Sequence, residues 1–179
     1  MKNTLDKIQK IFSIAAIVVK VLYILCIIGA IGSMVGFAAL LAVNIWGVEN
    51  LEFLVKLDAG FVMQTGLYGC VAGAISSAAH AVLLRYVLKY LENEMKAGTP
   101  FDLNGAKEIF GLGILTAAIP LGVSIANGII HGIWSNFASL PEASGADPSG
   151  QVCTGLLMMA ASLVFRYGAE LIQKEKTQA

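Results

Sequence analysis

Apolar positions along the chain gather into four runs, each bounded by a short polar stretch. Val21 to Val43 holds no charged residue, Phe61 to Leu84 holds none, Ile109 to Trp134 holds none, and Val152 to Phe165 opens a fourth run that continues through Arg166 and Tyr167. At about 1.5 Å per residue, roughly 20 helical residues cross a hydrocarbon core of about 30 Å. The pattern therefore predicts an all-α fold, an integral membrane bundle of four transmembrane helices forming a single domain over residues 1–179. The spans are placed at about 21–43, 61–84, 109–134 and 152–169. Ahead of the first, residues 4–20 set Lys7, Lys10 and Lys20 among Leu5, Ile8, Ile11, Phe12 and Ala15 at spacings of three and four, an amphipathic helical start. Such a segment either lies in the membrane interface or runs straight on into the first span, and the sequence allows both. The apolar run after it is too long for the roughly 7–15 residues of a signal-peptide core, so it reads as a retained anchor.

The polar breaks differ in kind. Gly47 to Gly60 carries Glu49, Glu52 and Asp58 against Lys56 and is a short connection. The longest basic break, a loop at 85–108, opens with Arg85, Lys89 and Lys96 on a continuing helix. It then turns through Gly98, Thr99, Pro100 and Phe101 to Asp102. Gly98 suits a left-handed helix end and Thr99-Pro100 forces extended backbone. Asp102, or Thr99 with Pro100 at the first helical position, can cap the next helix, and Phe101 can staple against Ala106. These five residues read as a structural corner. Residues 135–151 are rich in Ser, Gly, Pro and Ala and read as an exposed loop, and Pro120 should bend the third helix.

Composition sharpens the membrane reading, with 57% hydrophobic and 13% charged residues. A formal net charge of zero gives no ground for direct nucleic-acid binding. Where the charges sit matters more. Of the twelve Lys and Arg residues, all but Lys56 fall at the termini or in the central loop, which places both termini and that loop in the cytoplasm. Trp46 and Trp134 would then mark the outer interface, and Tyr86, Tyr90 and Tyr167 the inner one. Leu83 to Glu94 and Val164 to Glu175 echo each other, sharing Arg-Tyr at Arg85-Tyr86 and Arg166-Tyr167. The first and third runs both end in Ile-Trp. If the halves are duplicated, they are parallel hairpin repeats. The alternative is that each inner boundary recruits Arg and Tyr independently.

Lys96-Ala97-Gly98-Thr99-Pro100-Phe101 together with Phe165-Arg166-Tyr167-Gly168-Ala169-Glu170-Leu171 resembles domain-of-unknown-function family 2975, small bacterial membrane proteins with four spans. That resemblance implies a bacterial inner membrane location. Members are often encoded beside small helix-turn-helix regulators, so it also implies a transcription regulator as partner.

Candidate chemistry is sparse. Asn127 and His131 lie four apart on one face of the third span, with Gln64 and Asn44 at similar depth, and polar groups inside a membrane are the natural place to look for a solute or proton site. Hydrogen bonding between helices explains the same residues. Gly29-x3-Ser33, Gly32-x3-Gly36, Gly69-x3-Gly73-x3-Ser77 and Gly128-x3-Gly132 predict close helix packing, or a homo-oligomer through one such face. Cys26, Cys70 and Cys153 read as small apolar residues. No metal set, cofactor motif or nucleophile-base constellation stands out, so no enzyme is expected. The first expectation is a non-catalytic membrane protein that interacts with or regulates another component. Its contact surface would be the basic inner face of Arg85, Tyr86, Lys89, Lys96, Arg166 and Tyr167, which also suits anionic lipid. A small transporter or channel-like oligomer is the alternative, and an immunity or stress-resistance factor fits the same architecture.

Overall fold

The computed structural model describes residues 2–46, 59–97, 103–136 and 147–178, all within or beside four helices. These are α1 (Lys2–Trp46), α2 (Ala59–Ala97), α3 (Leu103–Trp134) and α4 (Ser149–Gln178), and no strand occurs among the described residues. Each is long and apolar enough to cross a membrane, which makes this a multi-pass membrane protein by length and composition. The helices outrun the apolar runs that seed them. α1 continues without interruption from Lys2, so residues 4–20 are one helix with the first span. Its 45 residues reach about 67 Å, twice what a bilayer core requires. Likewise α2 continues to Ala97 and α3 begins at Leu103, so most of the 85–108 interval is helical rather than loop. Those flanks carry good helix formers such as Leu, Lys, Glu and Met, while Gly98 and Pro100 stand in the interval between. Residues 98–102, the expected corner, lie outside the described residues.

Caps account for two helix ends. At the end of α3, Ser135 Oγ and Asn136 Nδ2 donate to the Gly132 carbonyl at 3.0 and 2.8 Å, and the Ser135 amide donates to the His131 carbonyl. Carbonyls that the helix leaves open are thereby satisfied. At the start of α4 the Pro148 carbonyl accepts from the amides of Gln151 and Val152. α3 runs through Pro120 as a continuous helix.

By contacts the chain divides into two compact units. The first comprises Met1–Ile24, His80–Leu121 and Pro148–Ala179; the second comprises Leu25–Ala79 and Gly122–Asp147. In the second unit α1 and α2 pack antiparallel through small residues. A Cβ at Gly29 would stand 3.2 Å from Ser77 Oγ, one at Gly73 3.1 Å from Ser33 Oγ, one at Gly36 3.2 Å from Cys70 Sγ, and one at Gly66 3.0 Å from a Leu40 methyl. Positions 29, 33, 36 and 40 thus meet 77, 73, 70 and 66, advancing by four, three and four on both helices. The seam belongs to a longer pattern on α1. Phe12, Ala16, Val19, Tyr23, Cys26, Ala30, Ser33, Phe37 and Leu40 are all half-buried and alternate by four and three, the 3.5-residue period of left-handed helix packing.

In the first unit α3 and α4 approach more closely still. A Cβ at Gly155 would fall 2.5 Å from the Gly113 carbonyl oxygen and 2.8 Å from the Ala117 nitrogen, and one at Gly113 would fall 2.8 Å from the Gly155 carbonyl oxygen. Backbone touches backbone there. The expected small-residue faces are only partly used, since Gly32, Gly69, Gly128 and Gly132 meet nothing within 4 Å. Gly32 and Gly69 lie beside the α1–α2 seam, which alternates three and four, and Gly128 and Gly132 are exposed on α3.

Buried apolar side chains among the described residues are few: Leu67, Ala81, Leu91, Ala106, Leu112 and Ala169. Large apolar side chains line the outside of α1, including Ile14, Ile17, Ile24, Ile28, Ile31 and Met34. In water this inversion would forfeit the main driving force of folding; in lipid the tails cover those side chains and packing alone holds the helices.

Candidate functional site

Intramembrane polar residues gather in the second unit, though not as the full set expected. Asn127 Nδ2 on α3 donates to Ser76 Oγ on α2 at 3.4 Å, and the Asn127 Oδ1 is buried without a hydrogen-bond partner. One turn along α3, the His131 ring meets Tyr68 edge-on, with centroids 5.6 Å apart and planes at 74°. Thr65 Oγ1 on the same helix as Tyr68 is also buried and unsatisfied. Asn127 and His131 thus do share a face, and it is turned to α2. Gln64 is exposed and takes no part. The side chain of Asn44 lies outside the described residues. Tyr68 and Thr65 were not singled out from the sequence, although Thr65, Tyr68 and Ser76 recur at helical spacing and would have marked a polar stripe inside an apolar helix.

The first unit holds a second polar group, at the junction of α2 and α3, that sequence reasoning missed. Asn93 Nδ2 donates to Glu108 Oε1 at 2.6 Å, while Glu108 Oε2 is buried and without a partner. Glu94 is 6% exposed, and its Oε1 lies against Gly105 where a Cβ would otherwise sit. A carboxylate over the first turn of α3 lies at the positive end of the helix dipole. Next to this clamp, Tyr86, Lys89 and Tyr90 of α2 and Glu108, Gly111, Leu112 and Leu115 of α3 enclose a half-open cleft of about 180 Å³. Tyr90 is half-buried there, within electrostatic reach of both Glu94 and Glu108. The signal in the sequence was the run Tyr90-Leu91-Glu92-Asn93-Glu94, whose acids look solvated until the antiparallel partner is known.

The expected basic surface is borne by the same unit. Arg85, Tyr86, Lys89 and Lys96 on α2 are all exposed, Tyr86 at 49%, and Tyr167 on α4 is exposed at 66%. Arg166 is exposed too, but its Nε pairs with Glu170 Oε1 at 3.1 Å. Such an open i,i+4 pair contributes about 0.3–0.5 kcal/mol at most. The two Arg-Tyr copies therefore differ in charge, because Arg85 is followed four residues on by Lys89 where Arg166 is followed by Glu170. Cys26 and Cys70 are half-buried and Cys153 is exposed, all with free thiols. No group of three His, Cys, Asp or Glu side chains is placed to hold a metal among the described residues. The corner residues Gly98, Thr99, Pro100, Phe101 and Asp102 lie outside them.

No family model, no curated protein and no solved structure matches the chain.

Proposed function

We propose that this is a non-catalytic multi-pass protein of a bacterial inner membrane, with both termini cytoplasmic, that regulates or is regulated by a partner docking on the basic end of α2. The observation that carries this reading is a sorting of charge. Arg85, Lys89 and Lys96 project outward, whereas Glu94 from the same helix is folded into the α2–α3 junction and Glu108 of α3 is tied to Asn93. Outward acids on this stretch reduce to Glu92 among the described residues of α2. Exposed Tyr86 adds an aromatic contact of the kind that anchors interfaces. The neutralised Arg166-Glu170 copy is the weaker half of the surface, with Tyr167 beside it. An acidic protein surface fits this face, and the resemblance of residues 96–101 and 165–171 to family 2975 makes a transcription regulator the first partner to seek.

A photo-crosslinker in place of Lys89 or Lys96, activated in intact cells, should capture a cytoplasm-facing protein, and charge reversal at Arg85 should abolish either adduct. Recovery of lipid and self alone from both positions would overturn the partner reading.

A second reading, a small transporter or channel-like oligomer, is favoured by one observation, the buried unsatisfied oxygens of Asn127 and Thr65 in the second unit. A solute or a proton-carrying water would satisfy them. On that reading Asn127→Ala combined with His131→Ala abolishes flux in proteoliposomes. Unchanged flux of every ion and solute that wild type conducts would leave Asn127–Ser76 as a helix-to-helix hydrogen bond alone.

A further inference from the structure

We propose that the cleft between α2 and α3 binds the headgroup of a zwitterionic phospholipid bearing a primary ammonium. The cleft shares Lys89 with the protein contact proposed above and no other charged residue, and its test reads bound lipid rather than a protein adduct.

The cleft exists because of one residue. α2 and α3 run antiparallel here, with Asn93 against Glu108, and two turns further in the same pairing brings Tyr86 to the level of Leu115. Between them, level with Tyr90, stands Gly111, and a Cβ built there would meet nothing within 4 Å. The missing side chain leaves the space. Its volume of about 180 Å³ exceeds the roughly 150 Å³ that houses a benzene molecule, so a small headgroup fits and a bulky one does not.

The lining is graded. Glu108 stands at the end nearer the corner, Lys89 and Tyr90 level with Leu112 and Gly111 in the middle, and Tyr86 with Leu115 at the other end. No ion pair joins Lys89 to Glu108 among the described residues, so the two opposite charges border one space without neutralising each other. That spacing suits a ligand which itself carries both charges. A phosphate diester would pair with Lys89, and an ammonium would pair with Glu108. Glu108 Oε1 accepts one hydrogen bond, from Asn93, and keeps a second lone pair for an N–H donor. A primary ammonium supplies one; a quaternary trimethylammonium does not. A purely anionic lipid would meet Lys89 but also the Glu108 charge. The apolar end and the half-open mouth argue for a headgroup with acyl chains attached, since Leu112 and Leu115 offer nothing to a soluble phosphoamine.

Native mass spectrometry of the full chain, with matched-chain phosphatidylethanolamine, phosphatidylcholine and phosphatidylglycerol added in turn, tests this. Wild type should retain the ethanolamine lipid on the order of tenfold more tightly than the other two, the ratio expected of one charge-assisted hydrogen bond. Glu108→Gln should erase the preference over the choline lipid. Gly111→Leu, which fills open space without striking the backbone, should abolish retention of the ethanolamine lipid while the helical circular dichroism is unchanged. Lys89→Met should weaken retention of the ethanolamine and choline lipids together. Equal retention of all three lipids by wild type would overturn the proposal, as would a preference that survives Glu108→Gln or retention that survives Gly111→Leu. Displacement of the lipid by free phosphoethanolamine at equal concentration would assign the site to a soluble ligand and overturn it as well.

Discussion

Replacing Gly155 by alanine should separate α3 from α4 and cost the protein roughly 2 kcal/mol or more. The added methyl would lie 2.5 Å from the Gly113 carbonyl oxygen, 2.8 Å from the Ala117 nitrogen and 2.9 Å from the Ala117 Cβ. Two of these neighbours are backbone atoms of a helix, which cannot rotate aside as a side-chain tip can. Overpacking of a tight interior costs about 1–3 kcal/mol and more where the backbone must move. The gain from exchanging Gly for Ala in a helix, about 1 kcal/mol, opposes it and is the smaller effect. Gly113→Ala should do the same, since its Cβ would stand 2.8 Å from the Gly155 carbonyl oxygen. The double variant should cost less than the two added together, because one displacement of the helices relieves both clashes. Gly69→Ala and Gly128→Ala, where the Cβ enters open space, should be neutral or stabilising by about 0.5–1 kcal/mol. Reversible unfolding of the full chain in mixed micelles reads all five variants. Equal stability of Gly155→Ala and Gly69→Ala would mean that the backbone contact does not exist.

That contrast also shows where the sequence speaks and where it is silent. Four helices long enough to span are legible because lipid demands continuous apolar length, and length is a one-dimensional property. The polar face of Asn127 and His131 is legible for a similar reason, since residues four apart share a side of any helix. Which glycines matter is not legible. Gly69 and Gly128 satisfy a small-x3-small pattern and face open space, while Gly155 stands in no such pattern and makes the tightest contact, against Gly113 and Ala117. The difference is set by which helix lies opposite and in what register, a fact of three dimensions. The acids follow the same logic. Glu92 and Glu94 differ by two positions, about 200° around the helix, so one faces outward and the other into α3. Only the antiparallel pairing of Asn93 with Glu108 decides which is which.

Glu94 is therefore the second place where one side chain should matter most, and Glu94→Ala is expected to loosen the α2–α3 junction by about 2 kcal/mol. The side chain is 6% exposed and its carboxylate rests on the first turn of α3 at Gly105. Removing it takes a negative charge from the positive end of the α3 dipole, an effect that reaches about 2 kcal/mol in partly buried geometry, and uncovers the first turn. Glu94→Gln keeps an acceptor oxygen at the same place but not the charge, and should cost about half as much. Gly105→Ala should mimic the loss from the other side, because the new methyl takes the position of Glu94 Oε1 and the carboxylate is too enclosed to swing clear. Glu92→Ala, on the exposed face, should stay within about 0.5 kcal/mol of wild type. Amide hydrogen exchange over residues 103–108 separates these outcomes from a general loss of stability. Glu94→Ala and Gly105→Ala should speed exchange there while the α3–α4 contact at Gly113 and Gly155 stays protected. Uniform acceleration along α3 would mean that Glu94 supports the whole helix rather than its first turn. Local acceleration fits the placing of Glu108, one turn beyond Gly105, where the acid that lines the cleft is held by Asn93 from the same stretch of α2.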